Sequence, residues 1–231
     1  MENNIENNVV SPAEKASKAT AKESNAYILN LNAKDFRGAY RDPSVWLLVI
    51  SNIYAAYEII VHNIPIGSVL MIFWLQSIII GSFTLITIIC ARLPDSQILN
   101  LSDAEKTNIP SQKLKLALYF TLIYGFFHFI YLAFIIGSNY EAGKTTTLLW
   151  GRIFSIAFVF FLNHLFSFIY YFKKEINSDL VEVVNNPFRR IIPMHIMMIL
   201  SGGMGQWAVI PFLLLKTFID VYGHIAKHVR K

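Results

Sequence analysis

The sequence predicts an all-α polytopic membrane bundle of six transmembrane helices with both termini cytoplasmic, and three observations lead there. Hydrophobic residues make up 55% of the chain and charged residues only 15%, against about 25% charged in an ordinary soluble domain. The mean hydropathy is +0.46. The apolar residues gather into runs of roughly 20, the length that crosses about 30 Å of hydrocarbon. Lys and Arg stand almost wholly at alternate ends of those runs.

In chain order, residues 1–42 form a polar tail. "MENNIENNVVSPAEKASKATAKESN" has no aromatic residue and lacks the basic-then-apolar pattern of a cleaved signal, so it is expected to be largely disordered. "AYILNLNAKDFRGAYRD" has enough apolar residues to lie on the membrane surface as an interfacial helix. Asp42-Pro43-Ser44 reads as a turn into the first span, because Pro at a helix start gives up a donor that has no partner there. The six-span domain then covers 43–231. Its first four spans are Ser44 to Val61, Gly67 to Ile89, Leu116 to Ile136 and Leu148 to Phe172. A longer run, Ile191 to Tyr222, is broken by "SGGMGQ" and fits two short helices joined by a glycine turn. Ser102 to Glu105, "SDAE", has the spacing of a capping box in the loop between the second and third spans.

Orientation follows from charge, since cytoplasmic flanks hold the excess of Lys and Arg. Seventeen basic residues fall in the tail, the second and fourth loops and the C-terminus; on the opposite side stand only Lys144 and Arg152. The net charge of +5 is thus a topology signal of a protein whose partner is the lipid bilayer, and no nucleic-acid partner is needed to explain it. Trp46, Trp150 and Trp207 lie near span ends as an interfacial belt requires, whereas Trp74 lies deeper and needs an acceptor for its indole N–H. The lone Cys90 reads as a small apolar residue.

Chemistry, if present, resides in the polar side chains within the spans. An ionisable group near the bilayer centre costs about 2.5–3.5 kcal/mol on insertion scales, so it should face inward and have a partner. Lys216, Asp220 and His224 recur every four residues along one face of the last span. By helical rise, His164, His195, Lys216 and Asp220 share the cytoplasmic half, about 3–8 residues from that end of their spans. These four form the expected polar site, with His224 at its mouth. Glu58, Gln76 and His128 fall nearer the middle or outer half and make a second group, in which Glu58 pairs with His128 or with Arg152. His164, His195 and Asp220 could ligate zinc or another divalent transition metal while Lys216 stabilises an anion; the same residues without a metal could relay protons. The plainer reading is that membrane histidines satisfy interhelical hydrogen bonds and that Lys216 and Asp220 neutralise each other.

"DPSVWLLVISNIY", "FWLQSIIIG", "RRIIPMHIMMILSGG" and "LLLKTFIDVYGH" together resemble a prokaryotic multi-pass membrane family defined only as a domain of unknown function. The resemblance covers about residues 42–228. Its motifs fall here on Asp42-Pro43-Ser44, on Phe73, Trp74 and Gln76, on Arg190, Met194 and His195, and on Lys216, Thr217, Asp220 and His224. Phe73 and Gln76 stand where the pattern also admits Tyr and an acidic residue, which removes a hydroxyl and a charge. The resemblance implies that His195 belongs with the Lys216 stripe, and it implies no activity.

Three classes follow. The first is a structural or accessory membrane component whose polar groups fix helix packing, alone or with a second copy or another membrane protein. The second is a membrane-embedded zinc-type hydrolase, and the third a small proton-coupled transporter or channel. No phosphate loop, H-E-x-x-H, C-x-x-C or G-x-S-G stands in the sequence, so the enzyme reading has no complete signature and the first class leads.

Overall fold

The structure, a computed structural model, describes residues 38–92, 109–142, 147–178 and 180–226. Its elements are six helices: α1 Pro43–Val61, α2 Ile66–Cys90, α3 Ile109–Ala142, α4 Thr147–Glu175, α5 Leu180–Met204 and α6 Val209–His224, with a 3₁₀ turn Gly205–Ala208 before α6. Four of them, α1 to α4, are long and apolar enough to cross a membrane. The tail up to residue 37, the Ser102–Glu105 capping box, Lys144 and the last five residues lie outside the described residues.

Local chemistry sets the ends. Pro43 stands in the first turn of α1, as the sequence predicts, and the Asp42 carboxylate caps the helix by accepting the Ser44 N–H at 2.9 Å. At the other end Asn63 adopts a positive φ of 48°. The Ile64 N–H then donates to Ile59 O at 3.0 Å and the Asn63 N–H to Ile60 O at 3.3 Å, the paired bonds of a Schellman stop. The glycine break falls within "SGGMGQ", as the sequence predicts, at its Gly205 end. Ser201 to Gly203 continue α5, and the chain turns at Gly205, whose φ of +54° favours a residue without a Cβ. Helices α3 and α5 begin well before the apolar runs that reveal them, at Ile109 and Leu180. Polar residues end a run of hydropathy without ending a helix.

The contacts give the packing directions. Trp74 and Ser77 of α2 meet His128 and Tyr124 of α3 in reverse order, so the pair is antiparallel. Gln76 meets His164 and Thr87 meets Glu175, so α2 and α4 run parallel. Successive helices thus alternate in direction. At one end Gln206 of the 3₁₀ turn clamps the α1–α2 loop, accepting from the Ile66 N–H at 3.0 Å and donating to Ile64 O at 2.9 Å. At the opposite end Arg92 N–H reaches Ile176 O at 2.6 Å, tying the exits of α2 and α4.

α2 is the central helix, packed on α3, α4 and α5. Gly81 allows the Tyr124 ring of α3 to lie against its backbone, where any Cβ would collide with that ring. Phe73 of α2, Phe160 of α4 and Phe212 of α6 are buried together, with ring centroids 5.9 Å and 5.1 Å from Phe73. One turn further along each of those helices stand Gln76, His164 and Lys216. The apolar layer therefore adjoins a polar one.

Candidate functional site

The α6 stripe is buried as its spacing predicts, with Lys216, Asp220 and His224 at 3%, 1% and 5% exposure. Lys216 Nζ donates to Asp220 Oδ2 and, at 2.8 Å, to Gln76 Oε1. Its ammonium lies 5.2 Å from the centroid of the Phe73 ring, within cation–π range. The other end of the Gln76 amide approaches His164 Nε2 at 3.3 Å. Three helices, α2, α4 and α6, thus contribute to one charged centre, and the desolvated ammonium is met by a carboxylate, a carbonyl dipole and a π face.

A second network closes the bundle end where α1 starts. Ser44 Oγ lies 2.7 Å from Asp42 Oδ1 and 2.7 Å from His224 Nε2, and the Tyr171 hydroxyl donates to Asp42 Oδ2. Burial pushes the Asp42 carboxyl up. The Tyr171 hydroxyl, the Ser44 hydroxyl and amide, and the nearby His224 outweigh that and hold it below the ordinary carboxylate value. His224 is therefore part of a bonded rim that joins α1, α4 and α6, rather than a solvated mouth.

His195 and His128 occupy a third place, between α2, α3 and α5. Tyr131 OH and His195 Nδ1 are 2.6 Å apart. His128 Nδ1 lies 2.8 Å from Tyr124 O one turn back, its ring 4.2 Å from that of Tyr124. Its Nε2 has no hydrogen-bond partner among the described residues. The Trp74 indole donates to His128 O at 3.0 Å, the acceptor its depth demands. Glu58, finally, pairs with Arg152 at 2.7 Å and with His62 at 3.6 Å.

The expected grouping is thus rearranged. Gln76 leaves the second group and becomes the hinge of the first, Glu58 and His128 take separate partners, and His195 engages Tyr131 of α3. Among the described residues no three or more His, Cys, Asp or Glu side chains gather so as to hold a metal ion. The ligand trio His164, His195 and Asp220 is not assembled by these contacts, and the Lys216 ammonium already occupies the Asp220 carboxylate. Residues that sequence reasoning passed over are Ser44, Tyr131 and Tyr171. Ser44 had a signal in Asp42-Pro43-Ser44, read only as a turn; the two tyrosines were hidden among eleven. The Arg190 side chain lies outside the described residues.

Comparison with curated proteins and with solved structures yields no match. The model of a family of unknown function, DUF6498, matches residues 35–231. That span takes in all six helices and each of the three polar networks, so the chain belongs to DUF6498, a family of unknown function.

Proposed function

We infer that this chain is a six-span protein of the cytoplasmic membrane, with both termini cytoplasmic, acting as a structural or accessory membrane component. Its centre, buried Lys216, Asp220 and Gln76 with half-buried His164, locks α2, α4 and α6 together. The alternation of helix direction and the one-sided distribution of Lys and Arg support the topology. α6 has 16 residues, about 24 Å at 1.5 Å per residue, and with the 3₁₀ turn it covers most of a bilayer. The observation that carries the role is that Lys216 is fully engaged by side chains of its own bundle, a carboxylate, an amide oxygen and a ring.

The test compares the melting temperature of wild type, Lys216→Met, Asp220→Leu and the double variant in detergent. A lock gives large losses in the single variants and recovery in the double. A proton-coupled transporter is the second reading, favoured by the unbroken bonding from Lys216 through Gln76 to His164. A double variant that melts like wild type yet abolishes a proton flux measured in proteoliposomes would move the assignment there. The hydrolase reading gains no observation of this kind.

A further inference from the structure

Gln76 is fully buried, and its single carboxamide faces two titratable groups. The oxygen accepts from Lys216 Nζ at 2.8 Å, and the nitrogen meets His164 Nε2 at 3.3 Å. An ammonium offers only donors, so the amide oxygen has to face it. The amide nitrogen carries only hydrogens, so His164 Nε2 has to present a lone pair. With Lys216 as the ammonium that its Asp220 carboxylate partner favours, the amide orientation fits a neutral His164 with its ring proton on Nδ1. A proton on His164 Nε2 would set N–H against N–H until the carboxamide turned end for end. Its nitrogen would then face Lys216, and an ammonium there would repeat the conflict.

We propose that Gln76 makes His164 and Lys216 mutually exclusive proton sites, so that the centre is a proton-exchange site holding one mobile proton. The proposal rests on the reading of this centre as an assembled lock and gives that lock two states. In the step, one N–H bond forms at His164 Nε2 with a proton taken from outside the centre. The carboxamide turns, and one N–H bond breaks at Lys216 Nζ, whose amine lone pair then accepts from Gln76 Nε2. One proton enters and one leaves. With Asp220 as carboxylate throughout, the net charge is the same before and after.

The surroundings favour such an exchange. The layer of Phe73, Phe160 and Phe212 bounds the centre on one side. On the other side the α6 stripe continues through Asp220 to His224 and its Ser44 contact at the rim. Through Gln76, His164 is linked to the titratable Lys216 and Asp220 of α6. From α1, Tyr54 and Glu58 are bonded to Ser155 and Arg152 more than two turns back along α4, and Tyr57 is exposed. From α2 only Cys90, at its far end, titrates.

The experiment is nitrogen NMR of the full chain with labelled histidine, in nanodiscs near neutral pH, with the His164 signals assigned by their loss in His164→Asn. Wild type is expected to show an unprotonated Nε2 and a protonated Nδ1. In Gln76→Glu, whose carboxylate accepts from both neighbours, Nε2 is expected to move into the protonated range. In Lys216→Met, which frees the Gln76 oxygen to turn toward His164, the same shift is expected. A protonated Nε2 in wild type, which needs no variant to observe, overturns the proposal; so does an unprotonated Nε2 in both variants. Melting the same samples separates the two readings. Destabilised variants with no nitrogen shift end the exchange site and leave the lock, whereas a Lys216→Met that melts like wild type ends the lock.

Discussion

Two ion pairs in this bundle use the same chemistry in opposite settings. Lys216 and Asp220 sit one turn apart on α6 with side chains 4% and 0% exposed; Arg152 of α4 and Glu58 of α1 meet at 2.7 Å with 29% and 14% exposed. The first pair is out of reach of water and is bound further by Gln76 and Phe73, so each charge depends on the others. The second lies where α1 ends and α4 begins, and His62 provides a further neighbour. A desolvated charge cannot fall back on water when its partner goes, whereas a partly exposed one can. The contrast should therefore appear as a large difference in the cost of breaking each pair.

The largest effect is expected from Lys216→Met. Removing the ammonium leaves the Asp220 carboxylate desolvated and takes a donor from Gln76, which should lower unfolding stability by about 3–5 kcal/mol. Denaturant titration in mixed micelles, read by tryptophan fluorescence, measures it. Replacing both partners, as Lys216→Met with Asp220→Leu, removes the stranded charge as well. Most of the loss should return, leaving a deficit of about 1–2 kcal/mol from the end of the Gln76 amide that no longer has a partner in Lys216. If the double variant is worse than either single, the centre is not a mutually compensating pair and the comparison fails.

How far this contrast could be read in advance differs between the two sites. The α6 stripe was legible because three ionisable residues at four-residue spacing on an apolar helix can face only one way. Glu58 with Arg152 was legible as one of two pairings. Gln76 was not, because depth counted along a span gives its height and not its rotation. α2 carries apolar residues on all sides, so its sequence does not mark the face that turns toward α6. The same gap separated His195 from the stripe. It lies at a similar distance along its helix, but it is exposed where the stripe is buried, and α5 turns it to Tyr131 of α3. The helix ends were hidden for another reason: residues such as Gln112, Lys113 and Lys115 end the apolar run while remaining good helix formers.

The rim offers an intermediate case. Asp42 is buried like Asp220, but hydroxyls and a backbone N–H compensate it, where Lys216 compensates Asp220. Asp42→Asn keeps a good helix cap and loses the charge that strengthens its bonds, at an expected cost of about 1–2 kcal/mol at neutral pH. The sign of the pH dependence follows from the lowered carboxyl. The stabilisation is fully present above the ordinary carboxylate value and is lost as pH falls through the lower folded value. Wild type and Asp42→Asn should therefore converge in melting temperature on acidification through that window. A gap that stays constant with pH would assign the loss to packing and remove Asp42 from the comparison.

The smallest effect belongs to Arg152→Met, expected at about 0.2–1 kcal/mol, the range of exposed ion pairs. Two features keep it small: Glu58 retains access to water, and His62 Nε2 stands 3.6 Å from the same oxygen. Screening sharpens the test, because a pair open to solvent weakens as salt shortens the Debye length from about 10 Å at 0.1 M to about 3 Å at 1 M. The difference between Arg152→Met and wild type should shrink over that range, while the deficit of Lys216→Met, out of reach of mobile ions, should not. Equal losses at the two sites, or equal salt responses, would mean that burial is not what separates them and that α1 and α4 depend on their pair as strongly as α2, α4 and α6 depend on Lys216.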